Sequence, residues 1–297
     1  MHRRTVICFP SDTHSGSSMG LMPPKQFGLM DGGFYNPTPV QKLIWKQWEY
    51  NWNIIAKERK NSDLIVVHCG DLVEGIHHET TQIISPRIDD HETVSGLCMD
   101  KAFRIAKMEK GDKYYQISGT EEHAGNGSSS EERVAQDLDH VVPAWEQTFW
   151  DEEGEKKNGR YTWNRLYREV NGVVFDISHH GGSVGQREWT TENGLYNKLK
   201  SIYFSCINRE KPLPIPRYWI RGHNHYHVRV DYVGKIGTIT GILLPGFQAK
   251  TGYVYKKMNY DPKPTSVGMV WVVINPDGTS KDFIDKIEIE QEKLEAF

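Results

Sequence analysis

The feature that most constrains the fold is a repeated junction, at which a short strand-like run passes directly into a motif rich in aspartate and histidine. Strand-like runs cover residues 5–9, 63–68, 113–118, 173–178, 217–221, 235–243 and 268–274. Helix-like segments separate the first three runs, and such alternation is typical of βαβ units in a sheet with parallel pairs. The sequence therefore predicts an α/β fold.

The first helix-like segment has a clear start signal. Thr38 suits the N-cap, Pro39 suits the first helical position, and Gln41 occupies the place of the acceptor in a capping box. Trp48 and Trp52 then recur at helical spacing. We interpret them as core residues and not as a platform on which bases stack, because packing is the commoner use of tryptophan.

The rest of the chain is organised more loosely. Further helices are predicted over about 93–110, ending at Gly111, from within 128–130 onward, and over about 191–206. Long loops are predicted at 15–37, 77–92 and 151–160, and loops of that length are usually functional or mobile. No internal repeat or linker divides the sequence, so we expect one domain over residues 1–297.

Composition limits the class of partner. The 297 residues carry a formal net charge of −3, so a nucleic-acid substrate would have to meet a local basic surface. The four cysteines are scattered, which favours a reducing compartment. No stretch approaches the roughly 20 apolar residues of a membrane span. We expect a cytoplasmic protein with no membrane partner.

Five short polar motifs stand at the ends of the strand-like runs. They are Asp12-Thr13-His14, Gly70-Asp71-Leu72-Val73-Glu74, Gly119-Thr120-Glu121-Glu122-His123, His179-His180-Gly181-Gly182 and Gly222-His223-Asn224-His225. The carboxyl ends of strands in an open α/β sheet meet at one edge, and side chains two apart on extended backbone face the same way. Carboxylates mixed with imidazoles suit zinc, manganese, iron or nickel better than calcium or magnesium. Each motif alone is weak, but their order predicts a metal site.

This succession of motifs resembles the calcineurin-like metallophosphoesterase superfamily, and it covers residues 12–225. The resemblance implies a four-layer α/β/β/α sandwich of two mixed sheets flanked by helices. It also implies two divalent metal ions at one edge, with manganese the first candidate in vitro and zinc, iron or nickel as alternatives. The implied reaction is hydrolysis of a phosphate ester by a hydroxide that bridges the two ions.

The resemblance carries over to individual positions. The implied metal ligands are Asp12, His14, Asp71 and His225 for the first ion, and Asp71, His180 and His223 for the second. In this scheme Asp71 bridges both ions. His123 resembles the family histidine that assists the leaving group, and Glu74 is its expected acidic partner. His179 is expected to be a neighbour packed into the strand or behind the ligands.

The third motif departs from the family pattern, in which an asparagine after the glycine binds the second ion. Here Thr120 follows the glycine and the histidine comes three residues later. Thr120, Glu121 or His123 fills that place, or the second ion lacks one ligand. The arrangement is similar to a G-T-x-x-H variant of phage-associated members.

The substrate is less constrained than the chemistry. A phosphodiester is our leading expectation, which makes the protein a nuclease or another phosphodiesterase with a possible nucleic-acid partner. The alternatives are a phosphomonoesterase acting on proteins or nucleotides, and a catalytically inactive binding module of the same fold. A structural metal without turnover is disfavoured, because structural sites are usually closed and rich in cysteine. Arg221 could contact a phosphate oxygen or form a surface ion pair.

Overall fold

The computed structural model describes residues 3–77, 80–144, 148–151, 154–157, 159–182, 190–257 and 264–291. The strands are β1 Thr5–Phe9, β2 Phe27–Gly28, β3 Phe34–Tyr35, β4 Asp63–His68, β5 Lys113–Gln116, β6 Thr148–Asp151, β7 Gly154–Lys157, β8 Leu166–Val170, β9 Val173–Ser178, β10 Tyr218–Arg221, β11 Val228–Val233, β12 Thr238–Leu243, β13 Thr265–Ile274 and β14 Ser280–Ile289. The helices are α1 Pro39–Glu58, α2 Ile88–Ala106, α3 Glu121–Ala124, α4 Ser129–Asp137, α5 Asn193–Ile207 and α6 Gly252–Lys257.

Ten of these strands form two five-stranded mixed sheets. The first sheet has the order β14-β13-β1-β4-β5, and the second has the order β11-β12-β10-β9-β8. Strands β1, β4 and β5 run parallel in the first sheet, as β9, β10 and β12 do in the second. Antiparallel strands complete the remaining edges. The predicted α/β fold with parallel pairs is confirmed.

The two sheets stack face to face because their strands are apolar on both faces. In β1, Ile7 and Phe9 enter a core shared with the second sheet, which contributes Phe175. Val6 and Cys8 point the other way, into the core formed with α1 and α2. This alternation follows from the two-residue period of a strand. Helix α5 covers the outer face of the second sheet, so the predicted α/β/β/α order is confirmed.

Helix α1 begins as its sequence predicts. The Thr38 hydroxyl accepts from the Gln41 amide at 3.2 Å, while the Gln41 side chain accepts from the Thr38 amide at 2.9 Å. Trp48 and Trp52 are fully buried against the first sheet, as predicted. Truncating such a side chain to alanine typically costs about 3–5 kcal/mol, so these two residues strongly fix α1 on the sheet.

Helix α2 differs from its prediction at both ends, because tertiary contacts override the local signals. It begins five residues before the predicted start, where the Asp90 carboxylate accepts from the Met30 amide at 2.9 Å. It ends at Ala106 and not near Gly111, with Lys107 in a left-handed conformation at φ 53°. The Arg59 guanidinium donates to the Lys107 carbonyl at 2.7 Å and stabilises this early end. The predicted loop at 77–92 is correspondingly too long.

Three strands of the two five-stranded sheets escaped prediction, and all of them are outermost strands. The short strands β2, β3, β6 and β7 were not predicted either, and β2 and β3 lie inside the predicted loop at 15–37. Strands β8, β11 and β14 each carry charged residues between apolar ones. One face of an edge strand meets solvent, which weakens the apolar signal. The predicted loop at 151–160 is wrong in part, since β7 lies inside it, and residues 152, 153 and 158 lie outside the described residues. Within the described ranges, no helix is both long and apolar enough to cross a membrane.

Candidate metal centre

The polar motifs all follow parallel strands. The Asp12 motif follows β1, the Asp71 motif follows β4, and the Thr120 motif follows β5 in the first sheet. His179 follows β9, and His223 follows β10 in the second sheet. Because the two sheets stack with these ends together, side chains distant in sequence meet at one edge of the sandwich.

Five of the six predicted metal ligands have left-handed backbone conformations. Their φ angles are 51° for Asp12, 42° for His14, 52° for Asp71, 72° for His223 and 53° for His225. Each such residue other than glycine costs on the order of 1–3 kcal/mol, and the conformation persists only where the surroundings impose it. The strain is concentrated at this site, which is typical of functional centres.

A first cluster of donors consists of Asp12, His14 and His225. The Nε2 atoms of His14 and His225 lie 3.2 Å apart, and His225 Nε2 lies 3.3 Å from Asp12 Oδ1. Asp12 is also fixed by the His223 amide, which donates to its carboxylate at 3.0 Å. Asp12 and His14 are buried, so their geometry is well determined by packing.

A second cluster consists of His179, His180 and His223. Asp71 lies between the two clusters, because its Oδ2 atom is 3.0 Å from His179 Nε2 and 3.8 Å from His14 Nε2. His180 and His223 are exposed, whereas Asp71 and His179 are buried. The centre is therefore rigid at its base and open to solvent on the side of the second cluster.

Thr120 lies against Asp71. Its amide donates to Asp71 Oδ1 at 2.6 Å, and its hydroxyl lies 3.2 Å from both Asp71 Oδ2 and His179 Nε2. This close approach requires the preceding glycine, because a Cβ atom on Gly119 would lie 2.3 Å from the Asp71 amide nitrogen. Of the three residues that the sequence left open, Thr120 is the one beside Asp71, while the Glu121 side chain is exposed.

Glu74 contacts the first cluster through its carboxylate and His123 through its main chain. Glu74 Oε2 lies 2.9 Å from His14 Nδ1, and it also accepts from the Gln248 amide group at 3.0 Å. His123 Nδ1 donates to the Glu74 main-chain carbonyl at 2.9 Å, and lies 3.8 Å from the carboxylate. The His123 ring packs edge-on against His14 with centroids 4.5 Å apart.

Two supporting residues have only weak sequence signals. Glu131, in the first turn of α4, accepts from the Leu72 amide at 2.9 Å and from the Gly119 amide at 2.7 Å. It therefore ties the loop that carries Asp71 to the loop that carries Thr120. Gln248 sits beyond β12, and nothing in its sequence surroundings indicates its contact with Glu74.

The pKa values of the buried acidic groups are shifted in different directions: those of Asp71 and Glu74 are lowered, and that of Glu131 is raised. Burial raises the pKa of Asp71, but the neighbouring His179 lowers it by more, and the net pKa is well below its usual value. For Glu74, burial is likewise outweighed by the hydrogen bonds from His14 and His77, and the pKa falls to about 2. For Glu131, burial dominates and the charge of Asp71 adds to it, which raises the pKa to about 7.

Two histidines of the site, His123 and His223, have lowered pKa values and are neutral at pH 7. Burial, followed by repulsion from His14, lowers the pKa of His123 to about 4. Burial and repulsion from His179 lower the pKa of His223 to about 4. At neutral pH these rings offer lone pairs, which is the form of imidazole that binds metal ions.

Arg221 is buried and does not form the surface ion pair considered for it. Its guanidinium donates to the Asp176 carbonyl at 2.8 Å and to the Asp176 carboxylate at 3.1 Å. Its plane also lies over the Trp219 ring at 3.9 Å. Arg165 donates to the same carboxylate, with Nε 2.9 Å from Oδ1 and Nη2 2.6 Å from Oδ2. The two terminal nitrogens of Arg221 are therefore engaged within the second sheet.

The donor set fits divalent metal ions. The two Nε2 atoms of His14 and His225 point at each other, and only a proton or a shared cation makes that contact favourable. His14 Nδ1 is already bound to a buried carboxylate, which is the usual outer partner of a metal-binding histidine. Among the described residues, Asp12, His14, Asp71, His180, His223 and His225 all belong to candidate metal-binding groups. Their roles as ligands, and those of His123 and Glu74 in catalysis, remain predictions.

No protein-family model matches the sequence, and no curated protein sequence matches it. Solved structures with a similar chain path include the sulfate thiohydrolase SoxB from Thermus thermophilus, with a TM-score of 0.44 and 10% identity over 98% of this chain and 58% of that one. A 5′-nucleotidase from Candida albicans has a TM-score of 0.39 and 12% identity, over 96% and 51% of the two chains.

A third solved structure, a protein of unknown function from Aquifex aeolicus, has a TM-score of 0.29 and 13% identity over 78% of this chain and 82% of that one. The chain thus spans little more than half the length of the first two proteins. These similarities describe the path of the chain and do not establish an activity.

Proposed function

We propose that the protein is a two-metal-dependent phosphoesterase. The observation that carries this proposal is the pair of donor clusters with Asp71 between them, at an edge that is open to solvent on one side. Two divalent ions held there would supply Lewis acidity, which lowers the pKa of water and neutralises charge on phosphate oxygens. Asp12, His14 and His225 would hold one ion, His180 and His223 would hold the other, and Asp71 would contact both.

The surrounding residues would keep these ligands in one geometry. Thr120 fixes both oxygens of Asp71, and the His223 amide fixes Asp12. Glu74 sets the ring orientation of His14. Pre-arranged groups of this kind require no reorganisation during the reaction, which is where most of their catalytic benefit arises.

His123 is the proposed group that handles the proton of the leaving oxygen. Its Nδ1–H is engaged by the Glu74 carbonyl, which leaves Nε2 as the nitrogen able to exchange a proton with a substrate. Its lowered pKa makes the ring neutral at pH 7 in the protein alone. A bound phosphate anion would raise that pKa, and this is the condition under which His123 could protonate a leaving alkoxide.

A phosphodiester is the proposed substrate class. Support comes from Arg221, the arginine directly before the His223 motif, which is engaged by Asp176. It is therefore not positioned to hold the second negative charge of a phosphomonoester, whereas a diester carries a single charge. A phosphomonoesterase remains the second candidate, and the exposed face at His180 and His223 would admit either substrate.

The inactive binding module is the less favoured alternative. A fold can be retained after its catalytic activity is lost, but then the metal-binding residues need not remain close together. Here five of the six predicted ligands lie in the two clusters, with the sixth, Asp71, between them, and five of the six have a strained backbone conformation. Retaining that strain without a function would lower stability for no gain.

The test is hydrolysis of bis(p-nitrophenyl) phosphate and p-nitrophenyl phosphate after removal of metals and reloading with Mn²⁺. We expect metal-dependent turnover of the diester, and its loss in Asp71→Asn, which keeps the side-chain size but removes the shared charge. Turnover restricted to the monoester would favour the phosphatase. Absence of both turnover and metal binding in the folded wild type would overturn the proposal.

A further inference from the structure

We infer that His179 is a ligand of the second metal ion, and that it takes the place left open among Thr120, Glu121 and His123. The inference rests on the proposed two-metal centre. It makes the second site a set of three imidazoles with the shared carboxylate of Asp71.

The first support is the direction of the side chain. Val173, Phe175 and Ile177 alternate along β9 into the core between the sheets. His179 continues that alternation by one step past the end of the strand, and its side chain is 1% exposed. The ring is therefore carried inward to the base of the centre, and not outward into solvent.

The second support is the tautomer that the contacts impose. His179 Nδ1 lies 2.7 Å from the Cys69 carbonyl oxygen, which can only accept, so Nδ1 carries the proton. Nε2 is then the nitrogen that faces Asp71 Oδ2 at 3.0 Å. Metal-binding histidines almost always donate their other ring nitrogen to a carbonyl or carboxylate in this way.

The other candidates for the place are less suited to it. The Thr120 hydroxyl is engaged with Asp71, and a neutral hydroxyl is a weak metal ligand compared with imidazole. Glu121 is exposed at the start of α3. His123 lies beside His14 and Glu74, which places it next to the first cluster and not the second.

A structural explanation competes with this inference. A protonated His179 could form a buried ion pair with Asp71, since the carboxylate outweighs burial and raises the pKa of the ring. In that case the positively charged ring would hold the Asp71 carboxylate in an ion pair and would repel the second metal ion. Replacing His179 would then leave ion binding unchanged or make it tighter, which is the reverse of the effect expected for a ligand.

The inferred set of donor atoms also predicts that the two sites prefer different metal ions. The first cluster offers Asp12 and Asp71 with two imidazoles, whereas the second offers Asp71 with three imidazoles. Imidazole-rich sites favour Zn²⁺ and Co²⁺ over Mn²⁺ more strongly than carboxylate-rich sites do. One equivalent of Zn²⁺ added with Mn²⁺ is therefore expected to fill the second site and leave Mn²⁺ in the first.

The experiment is a Co²⁺ titration of the metal-stripped full chain, followed by calorimetry and visible absorption, with bound ions counted by elemental analysis. Variants are His179→Gln and His179→Asn, with His180→Gln as a predicted ligand and His140→Gln as a control that packs on Phe103 away from the clusters. We expect two ions in the wild type and the control. In both His179 variants the second ion should bind at least about 10-fold more weakly, with the first unchanged.

A second readout is the electron paramagnetic resonance spectrum of the Mn²⁺-loaded protein. The wild type should give the signal of a coupled pair, and the His179 variants should give the six-line signal of an isolated ion. Folding is checked independently by circular dichroism. Two ions bound with wild-type affinity in a folded His179 variant would overturn the inference and leave the proposed function intact. Fewer than two ions in the wild type would overturn both.

Discussion

Glu74 Oε2 lies 2.9 Å from Nδ1 of His14, a contact that joins residues sixty positions apart and orients the first predicted imidazole ligand. The carboxylate is 2% exposed and also accepts from Gln248 at 3.0 Å. The bond leaves the lone pair of His14 Nε2 directed at the first cluster. An outer carboxylate of this kind raises ligand basicity and fixes ring orientation.

We therefore expect Glu74→Gln to weaken binding of the first ion by about 10–100-fold, because the amide keeps the shape but removes the charge. Calorimetric titration of the metal-stripped protein measures this directly. Glu58→Gln, at the partly buried Arg4 ion pair away from the clusters, is the control. Equal metal affinity in Glu74→Gln and wild type would show that the contact has no role in metal binding.

Glu131→Ala should destabilise the protein and weaken metal binding together. The substitution leaves the buried Leu72 amide and the partly buried Gly119 amide without their acceptor, and a buried unsatisfied group costs about 1–3 kcal/mol. Glu131→Gln retains one acceptor oxygen and should lose less. Chemical denaturation measures the free energy of unfolding. A larger loss of stability in Glu131→Gln than in Glu131→Ala would show that the hydrogen bonds from the two loops to Glu131 do not cause the destabilisation.

Two glycine substitutions should have opposite effects. A Cβ atom on Gly119 would lie 2.3 Å from both the amide nitrogen and Oδ1 of Asp71, so Gly119→Ala should displace Asp71 and reduce turnover. A Cβ atom on Gly96, inside α2, would meet nothing within 4 Å. Gly96→Ala should therefore stabilise the protein by up to about 1 kcal/mol through helix propensity. Thermal unfolding and diester hydrolysis of both variants provide the comparison.

Because His68 is buried, the free energy of unfolding should fall in mildly acidic solution. Burial lowers its folded-state pKa to about 3, below the usual 6.5. Between those values the unfolded chain binds a proton that the folded chain does not, so the contribution is complete above pH 6.5 and declines as the pH falls. The slope reaches about 1.4 kcal/mol per pH unit.

The measurement is the free energy of unfolding of wild type and His68→Gln between pH 7.5 and 4.5. His68→Gln should show the smaller decline with acid, while His140→Gln serves as a control with a partly exposed ring. The same pH slope in His68→Gln as in wild type would contradict a buried neutral His68.

Much of the site could be predicted because its residues sit at strand ends. Asp12, Asp71 and His223 each follow an apolar run that the sequence marks clearly, and parallel strands bring such ends to one edge. The residues that support them could not be found in this way. Glu131 reads as an ordinary acidic residue in a first helical turn, and its contact with Gly119 depends on how α4 packs.

The sequence by itself determined the local signals: the unbroken apolar run of β1, the capping box of Thr38 and Gln41, and the polar motifs after the strands. These signals depend on neighbours within a few residues, so they can be recognised without knowledge of the fold. The tertiary structure decided the end of α2, which depends on Arg59, and the inward direction of His179. Both depend on contacts between segments distant in sequence, whose energies exceed the local preferences that a sequence reveals.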